Sequence, residues 1–215
     1  MNDILFINTN NALKTDFFEK AKKCISAYEN EYVKFDFQTI NLSDKNVIAK
    51  AKSANAILFF ASGKQEELAV DSIRKQLGLY AQITAFSRRN GDVNCGFCIV
   101  QDKNGGIYEG EKGFSDNAAF GREAYDVERY SELEIERTAR VAYELANDSR
   151  LTLTLADKAD NLTTSKLWRK IVADVNEDYP FVSVDMQDVS AIIDAIIANP
   201  TSLDVVATTA LFGDI

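Results

Sequence analysis

Apolar positions along this chain follow two periods in turn, one suited to strands and one to helices. Residues 4–7 form a short continuous apolar run, the length of a buried strand. Residues 15–28 place Phe17, Phe18, Ala21, Cys24 and Ile25 on one helical face. Residues 33–37 then alternate strictly, Ser43 opens a helix as its N-cap, residues 56–60 make a second continuous run, and residues 65–77 form another helix. The order βαβαβα predicts a parallel sheet with helices on its faces.

The pattern changes over residues 85–111, where short strands are broken by Asn90-Gly91 and Asn104-Gly105, turn signals that predict an antiparallel element. Residues 131–147 then make an amphipathic helix with Leu133, Ile135, Ala139, Ala142, Tyr143 and Ala146 inward, and Ser131 and Glu134 are spaced as a capping box. Strands follow at 151–155, 182–186 and 203–207, and helices at 165–175 and 189–197. The last five residues, Leu211-Phe212-Gly213-Asp214-Ile215, read as an apolar loop with no helix to cover the preceding strand, as though the chain stopped short. The expected fold class is α/β.

Composition narrows the chemistry. The chain has 215 residues, 46% hydrophobic and 27% charged, enough for one large domain or two small ones. Its net charge of −9 is the wrong sign for neutralising phosphates, so neither nucleic acid nor an anionic membrane is an expected partner. The absence of histidine excludes Ser-His-Asp triads, Cys-His dyads and His-ligated zinc, leaving carboxylate, Lys, Tyr and Cys chemistry. Three cysteines are too few for a disulfide scaffold, and Asp3 stands where a secretory leader would carry basic residues, so a reducing, cytoplasmic compartment is expected.

Taken singly, the candidate motifs are weak. Cys95-Gly96-Phe97-Cys98 has dithiol spacing, but in a strand it would put the two thiols on opposite faces, which favours two small buried hydrophobes. Gly105-Gly106 lacks the strand-to-helix setting of a phosphate loop and reads as a turn. Asp157-Lys158-Ala159-Asp160 sits where a strand ends and a helix follows, where parallel sheets place functional groups; a lysine beside a carboxylate there is either a tuned acid or a solvated surface pair. Asp214 is one hard-metal carboxylate, which alone makes no site.

Together and in order, these segments resemble a known family. GGIYEGE (105–111), VERYSELEIERTARVAYELA (127–146), ADKADNLTTSKLWRKIV (156–172), YPFVSVDMQDVSAIIDAIIANP (179–200) and LDVVATTALFGDI (203–215) resemble the isocitrate/isopropylmalate dehydrogenase family of β-decarboxylating dehydrogenases, its 3-isopropylmalate branch in particular. Before residue 105 the likeness is thinner, carried by AILFFASG (56–63) and SIRKQLGLYAQ (72–82). The resemblance implies a parallel βαβ lobe, residues 1–79, as part of the family's large domain, and a mixed α/β small domain, residues 80–215, through which a homodimer forms. It also implies oxidation of a 2-hydroxy acid by NAD, with loss of CO₂ assisted by Mg²⁺ or Mn²⁺, as in leucine biosynthesis. Carried over by position, Tyr108 and Lys158 are the catalytic proton donors and acceptors, Arg74 is a substrate-binding arginine, and Asp214 is a metal ligand.

Several positions depart from the family pattern. Its second and third substrate arginines fall on Thr84 and Gln101, a metal aspartate from the partner subunit falls on Ser190, and an early glycine-rich segment is replaced by Thr9-Asn10-Asn11-Ala12-Leu13. Two lost arginine–carboxylate contacts at ~1.5–3 kcal/mol each remove roughly 3–6 kcal/mol, on the order of 10² to 10⁴ in rate if they act in the transition state. The family's next metal aspartate and its cofactor loop follow the FGDI motif, so no cofactor-binding residue is assigned and neither NAD nor the cation is expected to bind well. The expectation is a truncated homologue, inactive alone, with two alternatives: an interaction subunit that docks on a full-length homologue, or an enzyme half completed in trans.

Overall fold

The computed structural model describes residues 2–8, 13–60, 64–90, 93–150 and 152–215, with the side chains of 13–15, 88–90 and 93–95 left aside. The chain divides into two compact units, Met1–Leu79 and Tyr80–Ile215. Among the described residues no helix is long and apolar enough to cross a membrane.

In the first unit, β1 (Asn2–Asn8) is flanked in a parallel sheet by β2 (Phe35–Asn41) and β3 (Ala56–Phe59). Helices α1 (Leu13–Ser26), α2 (Val47–Ser53) and α3 (Lys64–Leu77) complete it. The apolar run of β1 is continuous because both faces of the sheet are covered. Leu5 and Ile7 pack with Ile40, Val47, Ala51 and Ile73, whereas Ile4 and Phe6 pack with Phe18 on the other side.

Three expectations change in this unit. Strand β2 starts at Phe35 rather than residue 33 and runs on to Asn41, because pairing with the whole of β1 extends it beyond its alternating stretch. Ser43 caps nothing. Asp44 accepts the Asn46 amide at 2.8 Å in a side-chain turn that postpones the helix to Val47, and Asn46 occupies the cap position without a side-chain bond. Cys24 and Phe17 lie outside the buried stripe of α1, which centres on Phe18. Residues 9–12, the segment that replaces the family's glycines, lie outside the described residues.

The second unit holds a five-stranded sheet in the order β4 (Ala81–Asn90), β5 (Val93–Asp102), β10 (Val205–Thr208), β8 (Thr152–Asp157), β9 (Ser183–Asp188). Strands β4 and β5 are an antiparallel hairpin, as the turn signals predict, although Gly91 itself lies outside the described residues; the other neighbours are parallel. Alternate residues serve opposite faces. Val100, Leu153, Leu155, Val205 and Ala207 join α4 (Glu132–Asn147) and α5 (Thr163–Asn176) around the buried Trp168 and Tyr143. Phe97, Ala156 and Val206 face α6 (Val189–Ala198) instead.

The capping box of α4 is present in full, with the Glu134 amide on the Ser131 hydroxyl and the Ser131 amide on the Glu134 carboxylate. Leu133 faces solvent, not the core, because it is two residues and about 200° of helix rotation from Ile135, which sets the buried stripe. Asn104-Gly105 joins no strands. The second hairpin lies downstream, β6 (Lys112–Asn117) with β7 (Gly121–Asp126), and exposes Phe114 and Phe120. The chain's end is a short helix, α7 (Ala210–Gly213), rather than a loop, its first turn closed by Thr209 Oγ1 accepting the Phe212 amide.

Candidate functional site

The parallel strands of the second unit deliver their side chains to one edge. In register, Gln101 of β5 lies beside Thr208 of β10, Thr208 beside Ala156 of β8, and Asp157 beside Asp188 of β9. All lie at or next to the ends of their strands, at the carboxyl edge of the sheet, where open α/β sheets bind ligands. Strands β5, β8 and β9 each finish on an aspartate: Asp102, Asp157 and Asp188.

Asp102, fully buried, builds the loop that carries Tyr108. Its Oδ1 accepts the amides of Asn104 at 2.8 Å and Gly105 at 2.6 Å, and its Oδ2 accepts the Thr138 hydroxyl at 3.0 Å. The glycines are needed here. A Cβ on Gly105 would stand 2.7 Å from the Tyr130 ring, and one on Gly106, whose φ is +78°, would stand 2.3 Å from the Tyr130 hydroxyl. Tyr130 Oη in turn accepts the Ala210 amide at 2.9 Å, so the same ring supports the turn that carries Asp214.

Two of the sequence-predicted residues, Tyr108 and Asp214, are thereby brought together. Burial, then the neighbouring Asp214 carboxylate, raises the Tyr108 phenol above its ordinary value. Burial opposes ionisation of Asp214, but it is outweighed by hydrogen bonds from Gln101 and Tyr108 and by the Lys103 ammonium, which together hold its carboxyl below the usual range. The Gln101 amide is 2.8 Å and Lys103 Nζ 3.5 Å from the same oxygen, Asp214 Oδ1.

Lys158 belongs to a second cluster. The sequence sets it between Asp157 and Asp160, but its ammonium turns to Asp188, 2.7 and 2.9 Å from the two carboxylate oxygens and 3.1 Å from Ser190 Oγ. Asp157 is taken instead by Arg169, whose Nε and Nη2 reach its two oxygens at 2.7 and 3.0 Å. The Lys158 ammonium, with the Ser190 amide, lowers the Asp188 carboxyl. Arg74, in the first unit, is held by Asp71 at 2.8 Å through Nη2 and by the Leu79 carbonyl at 2.8 Å through Nη1.

Cys98 is half-buried in β5, and burial, then Asp204, pushes its thiol upward, the reverse of an activated thiolate. The Cys95 side chain lies outside the described residues.

A divalent cation of the kind the family resemblance implies requires several oxygen ligands. Among the described residues no group of three or more Asp, Glu or Cys side chains could hold one. Asp214 Oδ1 already accepts an amide and an ammonium, and Ser190, which the resemblance sets at the position of a second metal carboxylate, brings only a hydroxyl. The residues present do not fit the ion.

Lys103, Asp188 and Tyr130 escaped the sequence reading. Asp188 had a signal, an acidic residue ending a strand just before an apolar helix, where it accepts the Ser190 amide at 2.8 Å as N-cap. Lys103 and Tyr130 had none, since their partners are distant in sequence.

Comparison with known proteins agrees with the motifs. The sequence profile of the isocitrate/isopropylmalate dehydrogenase family matches residues 12–215. The 3-isopropylmalate dehydrogenase of Staphylococcus saprophyticus is 36% identical over 214 residues, 87% of this chain and 60% of the relative. That of Novosphingobium aromaticivorans is 36% identical over 186 residues, 77% of this chain and 53% of the relative. The chain thus spans about 60% or less of the length of these curated relatives. Among solved structures, the β-decarboxylating dehydrogenase of Thermococcus kodakarensis matches all of this chain and 66% of its own, with a TM-score of 0.80 at 21% identity. The isocitrate dehydrogenase of Methylococcus capsulatus gives a TM-score of 0.75 at 22% identity. By sequence profile and motif order, this chain belongs to the isocitrate/isopropylmalate dehydrogenase family.

Proposed function

We propose that the chain keeps the scaffold of a 3-isopropylmalate dehydrogenase but does not by itself oxidise and decarboxylate a 2-hydroxy acid. One observation carries this reading: each charged residue that the resemblance assigns to catalysis, substrate or metal has a counter-charge within the chain. Arg74 has Asp71, Lys158 has Asp188, and Asp214 has Lys103. A substrate acid or a cation would have to displace an existing partner at every contact. Thr84 and Gln101, standing where arginines are implied, remove two further grips on a carboxylate. Tyr108 remains a neutral phenol able to donate a hydrogen bond, and Lys158 an ammonium able to do the same. Supplying NAD, Mg²⁺ and either isopropylmalate or isocitrate to the purified chain should give no rise in absorbance at the nicotinamide wavelength. A steady rise, abolished by Tyr108→Phe, would overturn the reading.

Association through Tyr80–Ile215 is part of the proposal. Its support is an apolar groove of about 630 Å³ whose lining includes Phe86, Phe97, Ile192, Ile196, Phe212 and the exposed Ile197. A homodimer is the expected state in analytical ultracentrifugation. Co-purification with a full-length homologue in place of self-association would favour the interaction-subunit alternative.

A further inference from the structure

The cluster around Asp214 holds a cation of its own. Gln101 is almost fully buried, and its amide nitrogen is fixed between Asp214 Oδ1 at 2.8 Å and the Ala210 carbonyl at 3.2 Å. The backbone of α7 lies directly on that side chain, since a Cβ on Gly213 would stand 2.7 Å from Gln101 Cβ and Cδ. The carboxylate oxygen facing β5 is therefore turned toward nitrogen donors by packing that cannot easily relax. Lys103, two residues beyond Gln101, brings its ammonium to 3.5 Å from the same oxygen, with its side chain only 23% exposed. A dication bound at that oxygen would need an oxygen-rich shell and would stand against a fixed positive charge.

We propose that Lys103 supplies, as a permanent ammonium, the positive charge at Asp214 that the family resemblance assigns to a divalent cation, making this cluster metal-independent. The inference rests on the family reading for the role of Asp214 and not on the loss of activity. In effect the site exchanges a dissociable charge for a tethered one. Gln101 holds the carboxylate in place, and Lys103 neutralises it without any ion from solution.

The test is Mn²⁺ binding to the full chain, read by the electron paramagnetic resonance signal of the unbound ion. Wild type should leave that signal as in buffer up to millimolar Mn²⁺, and its melting temperature should be the same in Mn²⁺ as in EDTA. Lys103→Glu, which puts a second carboxylate where the ammonium stood, should gain one Mn²⁺ per chain with at least about tenfold higher affinity. That gain should vanish when Asp214→Asn is added. Uptake of one Mn²⁺ by wild type, abolished by Asp214→Asn, would overturn the proposal. So would equal, negligible uptake by wild type and a folded Lys103→Glu variant, because the ammonium would then not be what keeps the ion out. Should Lys103→Glu fail to fold, Lys103→Met and Asp214→Asn replace it in a double-mutant cycle: non-additive melting shifts support the pair, and additive ones overturn it. Turnover that persists in EDTA would refute the inactive-homologue reading and leave this inference standing, while Mn²⁺ uptake without turnover would do the opposite.

Discussion

Lys158 and Asp188 form a two-pronged ion pair across the ends of neighbouring parallel strands, with Nζ 2.7 and 2.9 Å from the two carboxylate oxygens. The folded state thereby holds Asp188 below the ordinary carboxylate range. The sign of the linkage follows: the contribution is present above about pH 4 and is lost as acid carries the pH down through the depressed folded value. Asp188→Asn keeps an N-cap for α6 but removes the charge. Its melting temperature should fall slightly below wild type near neutrality and converge with it as the pH drops below the depressed folded value, as measured by circular dichroism across the acid range.

The loop that carries Tyr108 should tolerate a methyl group poorly. Gly78 and Gly106 both have positive φ, +70° and +78°, but a Cβ on Gly78 meets nothing within 4 Å, whereas one on Gly106 meets the Tyr130 hydroxyl at 2.3 Å. Gly78→Ala should cost about 1 kcal/mol from backbone strain alone, and Gly106→Ala roughly 3 kcal/mol or more as the ring is displaced. Urea unfolding of the two variants checks the difference.

How much of this was legible beforehand depended on the range of the forces. The continuous run in β1, the capping box of Ser131 and Glu134, and the β4–β5 hairpin were readable because each is set by neighbours within a few residues or by burial on both faces. The start of β2 is not legible in its alternation because its partner, β1, decides its length, and the exposure of Leu133 is not legible because hydrophobicity alone does not fix helix phase. Within the candidate site, motif resemblance singles out Tyr108, Lys158 and Asp214. It does not single out their partners, since Gln101 and Asp214 are separated by 113 positions and Lys158 and Asp188 by 30, and only the sheet register brings them together.

Asp102 should be the most costly carboxylate to remove in the second unit. Asp102→Ala would leave the buried Gly105 amide and the Thr138 hydroxyl without their acceptor, at about 3 kcal/mol. Asp102→Asn preserves an oxygen for the two loop amides and should recover about half of that loss. Equal destabilisation by Ala and Asn in equilibrium unfolding would show that charge, not loop geometry, sets the requirement.

Alkaline unfolding should report on the core of the second unit. Burial pushes the Tyr143 phenol up to about 12, and the hydroxyl donates to the Val172 carbonyl at 2.8 Å. The unfolded chain ionises this group near pH 10, so the contribution is complete below that and is lost as the pH climbs toward the folded value. Tyr143→Phe should cost about 1 kcal/mol at neutral pH. It should also make the decline between about pH 10 and 12 shallower without abolishing it, because burial raises the Tyr130 phenol as well.

The ring of Tyr130 presses on Gly105 and Gly106 on one side and holds the Ala210 amide through its hydroxyl on the other. A change at this single position would reach the segments bearing Tyr108 and Asp214 simultaneously. The two are therefore poorly placed to drift separately, and descendants of this chain would be expected to revise both together or neither.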